Sequence, residues 1–288
     1  MAPVTTAPVS LHYREEGGGT TPVLFIHGNL GCGDWVDLVA RELPSSVRLI
    51  APDWRGCGDS PKPEPAPDYA NYGMAVHAAD MLALLDRLEI GRCHLFTHST
   101  GDLIATHMLL AEPERFGRIF SLSPVGPMGL PFAQSQLDGF RVMRDDMDVA
   151  RMGLATAVSS LFEPESLGSG GQPRFRAETS ADQRTLFEHL LGRTRVLSDG
   201  VWLGTPYHLD QTYRSGQLRR RQAELTHPRR IVRGREDAWI PLADVEEMAE
   251  CMPGCELQLI DGIGHSMNVE APEACAASLL EFLTLDRD

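Results

Sequence analysis

The chain has 288 residues, 42% of them hydrophobic and 23% charged, enough for one large domain, or a core domain with an insertion, that buries a full core. Its formal net charge of −14 and sequence pI near 5.1 describe a surface that repels phosphate backbones and anionic membranes, so nucleic acid is not an expected partner. No apolar run is long enough for a membrane span, and the first ten residues hold neither a basic stretch nor an apolar h-region.

The six cysteines are Cys32, Cys57, Cys93, Cys251, Cys255 and Cys275. They fit neither a metal knuckle nor a dense disulfide framework, so free thiols in a reducing cytoplasm are expected. Along the first part of the chain, short apolar runs at residues 23–26, 47–51, 93–97 and 119–123 predict buried parallel strands. Between them, helical patterns cover about 34–43, 74–88 and 101–112. In the middle one, Met74, Ala78, Met81, Leu82 and Leu85 recur at helical spacing and should face a sheet.

After Pro124 the pattern changes. Residues 128–226 read as helical without a convincing strand, broken by a glycine-rich loop at 167–173. Strand-like runs return at 230–233 and 256–260, followed by helical patterns at 242–252 and 272–283. The expected fold class is therefore α/β: a mostly parallel sheet flanked by helices, with a helical cap inserted after the strand ending near Ser123. The expected division is a core of residues 1–126 and 227–288, with a cap of 127–226.

The segment from Cys93 to Asp102 is the most informative. An apolar strand runs into Ser99, and a helix begins at once. Such a strand–turn–helix holds a serine at strained backbone angles and projects its hydroxyl from the carboxyl end of the sheet. Backbones crowd there, so small residues are needed two positions before and two after. Gly101 meets the second requirement, whereas Thr97 stands where glycine is usual, and Asp102 where another small residue is common. The helix N-terminus leaves amides unpaired and favours negative charge, so the Thr100 N–H is a candidate oxyanion donor.

Two loops after later strands carry the partners that a serine nucleophile needs. The 230–233 strand ends in a loop bearing Asp237, with Glu236 as the nearest rival acid, and the last strand leads to His265 between flexible glycines and a helix. A serine hydroxyl is a poor nucleophile at neutral pH until a base takes its proton. An imidazole can take that proton and return it to the leaving group, while a carboxylate fixes its tautomer. The order Ser99, Asp237, His265, each after a predicted strand, is what such a triad on a parallel sheet requires. Asp102, on the helix after Ser99, is expected to project away or cap locally.

These residues carry a family resemblance. The run Val23-Leu24-Phe25-Ile26-His27-Gly28-Asn29 resembles the oxyanion-loop segment of the α/β-hydrolase superfamily, and Asp53-Trp54-Arg55-Gly56-Cys57-Gly58-Asp59-Ser60 its D-x-R-G-x-G-x-S segment. The Ser99 elbow, the Gly234–Asp237–Pro241 loop and Gly264-His265 match the rest, and the match spans nearly all of 9–126 and 228–285. The resemblance implies a second oxyanion N–H after His27-Gly28, placed at Asn29 with Leu30 as the near alternative. In relatives with a His-Gly-Asn loop, haloalkane dehalogenases among them, the asparagine also touches the leaving group, but those use an aspartate nucleophile. Asp53, Arg55 and Ser60 are expected to brace loops.

The cap's aromatic and methionine content implies a medium-sized, largely apolar substrate. Leu30, Met128, Trp202, Trp239 and Met267 are candidates to line its pocket, with Phe132, Met143, Met147, Met152, Phe162 and Tyr207 as further ones. The leading function is hydrolysis of a carboxylic ester, lactone or thioester through an acyl-enzyme, a small-molecule acyl substrate being the partner. No cofactor and no metal is needed for that chemistry. C–C bond hydrolysis of a diketone-like substrate, acyl transfer or cyclisation, and a non-enzymatic ligand receptor are the alternatives, because one fold hosts many activities. Nothing in the sequence fixes the oligomeric state.

Overall fold

The computed structural model describes residues 6–168 and 171–284. Of the glycine-rich loop expected at 167–173, residues 169 and 170 lie outside the described residues, as do residues 1–5 of the N-terminal segment. The strands are β1 (Tyr13–Glu16), β2 (Thr21–Ile26), β3 (Val47–Pro52), β4 (Cys93–His98), β5 (Phe116–Leu122), β6 (Arg229–Gly234) and β7 (Cys255–Ile260). They form one seven-stranded sheet in the order β1-β3-β2-β4-β5-β6-β7. β1 runs antiparallel to β3, and the other pairs are parallel. The expected α/β class is thus observed. The sequence pattern missed β1 because an edge strand of Tyr-Arg-Glu-Glu has no apolar run to announce it.

Helices α1 (Asp37–Glu42), α2 (Met74–Arg87) and α3 (Gly101–Ala111) alternate with the first strands. The helix expected at 34–43 is divided: a 3-10 turn, Gly33–Val36, precedes α1, which stops before Pro44. Between β5 and β6 lie α4 (Gln134–Asp145), α5 (Met147–Ala157), α6 (Ala181–Thr194) and α7 (Thr205–Ser215). Among the described residues of this stretch the only β pairing is an isolated bridge of Phe162 with Phe175. α5 starts at Asp146, whose carboxylate accepts from the Asp148 amide at 2.8 Å. α6 starts with a reciprocal box in which Ser180 and Gln183 each cap the other's amide. Helices α8 (Leu242–Cys251), α9 (Met267–Glu270) and α10 (Pro272–Thr284) complete the chain, Pro272 fitting the first turn of α10 where no amide is needed.

Strand alternation divides the core between the two faces of the sheet. Val23, Phe25, Phe96 and Phe120 point to the face covered by α1 and α10, and Leu24, Ile26, Leu95 and Ile119 to the face covered by α2 and α3. The loop after β3 is braced as expected. Asp53 accepts from the Gly33 and Asp59 amides, each at 2.8 Å, and Arg55 grips Asp80 through two buried bonds of 2.5 and 2.6 Å. Ser60 donates to the Asp53 carbonyl at 2.7 Å. All six cysteines are free thiols. No helix among the described residues is long and apolar enough to cross a membrane.

Candidate active site

Parallel strands bring the loops after β2, β4, β6 and β7 to one edge of the sheet, where a ligand site is favoured in such folds. Ser99 sits at the end of β4 with φ of +51°, a left-handed conformation that costs a non-glycine residue energy. The turn is held on several sides. The Ser99 amide donates to the Leu122 carbonyl at 2.9 Å, and the Ser99 carbonyl accepts from Val125 at 2.9 Å and Asp102 at 3.1 Å. Gly101 is required: a Cβ there would stand 2.1 Å from the Ile26 carbonyl oxygen, so any side chain would push α3 off β2.

His265 lies on the loop after β7, and its Nδ1 is 3.0 Å from Asp237 Oδ2. A proton on Nδ1 satisfies that carboxylate and leaves Nε2 with a lone pair. Asp237 Oδ1 accepts from the amides of Trp239 at 2.7 Å and Ile240 at 3.2 Å. Burial alone would raise its pKa, but His265, the Trp239 amide and the Ser123 hydroxyl outweigh that and hold the carboxyl far below its usual range. Asp237 therefore stays ionised. Glu236, the rival, is exposed, and its amide bonds the Ile263 carbonyl at 3.1 Å.

One cavity of about 70 Å³ collects Ser99, His265, Asn29 and Leu30 with residues from the segment between β5 and β6. Trp202 and Trp239 line it as expected positions, and so do Phe140 and Met143 of α4 and Ala150, Gly153, Leu154 and Ala157 of α5. Trp202 is carried by a π-helical turn, Gly200–Gly204, that runs into α7. Thr100 is buried as the residue before α3 and does not itself line the cavity. Asn29 Oδ1 is buried without a hydrogen-bond partner, a free acceptor beside the serine.

Two expected lining residues are corrected. Met128 is buried in the apolar layer that α2 and α3 cover, and Met267 opens α9, which packs on α1 and the Gly33–Val36 turn. Both are taken up by apolar packing and do not line the cavity. Of the further candidates, Phe162 stacks on Phe175 and meets Phe187 edge-on inside the insertion, and Tyr207 stands 38% exposed beside Tyr69. Asp102 does not cap α3 and does not line the cavity; it is fully buried and bonded to Thr97.

Sequence reasoning missed His98, Ser123 and Glu270. His98 Nε2 is 3.2 Å from Ser266 Oγ, and its ring stacks on Trp35 and lies 5.0 Å from that of His265. It precedes Ser99, and its side chain falls beside the loop that carries His265 and Ser266. Glu270 accepts from the Ser160 amide at 3.0 Å and the Ser266 amide at 3.3 Å, tying the insertion to the histidine loop. Burial pushes its carboxyl up to about 7.

Three buried histidines set an acid limit. Burial lowers His27 to about 4 and His77 to about 3, and burial with the neighbouring His265 holds His98 well below the usual imidazole value. Each folded pKa lies below its unfolded value near 6.5, so the unfolded chain takes up protons first. Their stabilisation is complete above that value and is lost as pH falls toward 4. Glu270, raised in the fold, works in the opposite direction over part of the window, while His107 and His208, also lowered by burial, add to the histidine side. The thermal midpoint is expected to fall steadily from pH 7 to pH 4.5; a midpoint that stays level there contradicts this account.

The α/β hydrolase fold family matches residues 21–272. The chain is 26% identical to a non-heme chloroperoxidase of Streptomyces lividans over 98% of this chain and 99% of that one. It is 25% identical to a 2-hydroxymuconate semialdehyde hydrolase of Pseudomonas sp. (strain CF600) over 97% of this chain and 92% of that one. Among solved structures, a thermophilic esterase from Thermogutta terrifontis superposes with a TM-score of 0.71 at 20% identity, over 95% of this chain and 92% of that one. With a family match from β2 to the start of α10, the chain belongs to the α/β hydrolase fold family.

Proposed function

We propose that this protein is a serine hydrolase of carboxylic esters, lactones or thioesters. The observation that carries the reading is a single cavity holding the strained Ser99 turn and His265, with Asp237 3.0 Å behind the imidazole. Ser99 Oγ attacks the carbonyl carbon as His265 Nε2 takes its proton. The carbonyl oxygen becomes an oxyanion at the N-terminus of α3, held by the Thr100 and Asn29 amides. The imidazolium then gives its proton to the departing alcohol or thiol, and the C–O or C–S bond breaks. Water, deprotonated by the same imidazole, attacks the acyl-enzyme, and Ser99 leaves with the proton restored.

The segment 127–226 acts as a cap on a core of 1–126 and 227–288, and its helices set substrate size. The cavity's 70 Å³ is far below the ~300–1,000 Å³ of pockets that enclose a drug-sized ligand. It suits a short acyl chain rather than the medium-sized acyl group that the methionine content implied. A second, apolar cavity of about 430 Å³ adjoins it, with Phe140, Met143 and Trp239 in both walls. Leu130, Phe132 and Pro241 are among the rest of that outer wall, and no charged side chain of the described residues lines it. An apolar leaving group belongs there.

Gly153 lets Met143 fold onto α5, since a Cβ at Gly153 would stand 2.2 Å from Met143 Cε. Met143 is therefore the side chain that limits acyl length. With p-nitrophenyl esters, kcat/KM is expected to fall at least tenfold from butanoate to octanoate, and Met143→Ala to recover most of that loss. Equal rates across the series would remove the size argument. No turnover of any ester, lactone or thioester by folded protein would remove the hydrolase reading.

A further inference from the structure

The two residues that depart from the usual small-residue pattern at the elbow, Thr97 and Asp102, are bonded to each other. Thr97 Oγ1 donates to Asp102 Oδ1 at 2.9 Å. The same oxygen accepts from Ser121 Oγ at 2.7 Å and Arg229 Nη1 at 2.6 Å, and Arg229 Nη1 also reaches Ser121 Oγ at 3.1 Å. No member of the group is more than 2% exposed. We propose that Thr97, Asp102, Ser121 and Arg229 form a buried positioning cluster that clamps the Ser99 turn in the orientation needed for attack, a role that rests on Ser99 being the nucleophile.

The topology supports this. Thr97 is the last but one residue of β4 and Asp102 lies in the first turn of α3, so their bond spans the elbow from strand to helix. Thr97 is in register with Ser121 on β5, and Arg229 opens β6. One carboxylate oxygen thus ties three neighbouring strands to the helix whose N-terminus faces the reaction. The turn it encloses holds a serine at positive φ, a conformation that persists only where surrounding structure over-determines it. Chains with small residues at these positions obtain a close strand–helix approach by steric fit alone. Here Thr97 is bulkier, and its hydroxyl converts that bulk into a directional bond. Arg229 balances the charge of the Asp102 carboxylate, which is costly to bury unpaired.

Breaking the ion pair leaves a buried charge, which tests folding more than positioning. The informative site is Thr97. Thr97→Val keeps shape and loses the hydroxyl, Thr97→Ala removes any risk of overpacking, and Thr97→Ser keeps the bond. The rate of Ser99 modification by a small alkyl fluorophosphonate and the kcat for a short-chain ester are expected to fall roughly tenfold in Thr97→Val and Thr97→Ala, in line with the cost of small misplacement. KM should stay within about twofold of wild type, and Thr97→Ser should restore both rates. Samples are compared at a temperature well below each thermal midpoint. Wild-type rates in folded Thr97→Val or Thr97→Ala, even with a lowered midpoint, would make the cluster purely structural and overturn the proposal. Wild-type protein that never labels at Ser99 would instead sink the nucleophile reading, and this inference with it.

Discussion

Replacing Ser99 by alanine is expected to lower kcat for a short-chain ester by roughly a million-fold, and His265→Ala by a similar factor. The two losses should not add in the double variant, because nucleophile and base act as one unit. The geometry gives the reason. The hydroxyl without a base is unreactive, and His265 without a hydroxyl can only pass protons to water. What remains is oxyanion stabilisation and binding, worth roughly a thousand-fold over water. Ser99→Ala should fold, because an alanine accepts the same backbone angles nearly as well and the turn's amide and carbonyl bonds are retained. Initial rates with a p-nitrophenyl ester, corrected for the uncatalysed rate, read this directly. Retained activity in either variant would remove that residue from the reaction.

Asp237→Asn carries the second large effect. An amide keeps one acceptor for the Trp239 and Ile240 amides, so the loop should stay in place. Its NH2 group, however, donates toward His265 Nδ1 and forces the proton onto Nε2, where the base is needed. The expected fall in kcat is roughly ten-thousand-fold, with KM little changed. Glu236 is exposed, and no hydrogen bond joins its side chain to His265, so it is not placed to rescue the variant. Asp102 is engaged with Thr97, Ser121 and Arg229 on the far side of the elbow. Near-wild-type kcat in Asp237→Asn would mean that the imidazole needs no carboxylate here.

The strands were legible because buried parallel strands are short unbroken apolar runs, and the proposed triad because each member follows such a run. β1 was not, since an exposed edge strand needs no apolar pattern. The wall of the cavity was partly legible. Phe140 with Met143, and Ala150, Gly153, Leu154 and Ala157, recur at helical spacing, which marks one face of each helix. That spacing could have named them, but it does not say whether the face meets a core or a cavity. Met128, in a turn, and Met267, at the start of α9, were misplaced because an apolar side chain alone does not say whether it meets a core or a cavity. The Thr97–Asp102 pair was visible only as two separate exceptions. Its meaning required Arg229, which lies 127 residues beyond Asp102 and on another strand.

The most direct test of the central claim is covalent modification by a small alkyl fluorophosphonate, located by peptide mass spectrometry, with Ser99→Ala alongside. The geometry predicts one adduct, on Ser99, and none in the variant. Folded wild-type protein that takes up no reagent at Ser99, or a Ser99→Ala variant that labels equally well, would contradict the assignment of Ser99 as an activated nucleophile.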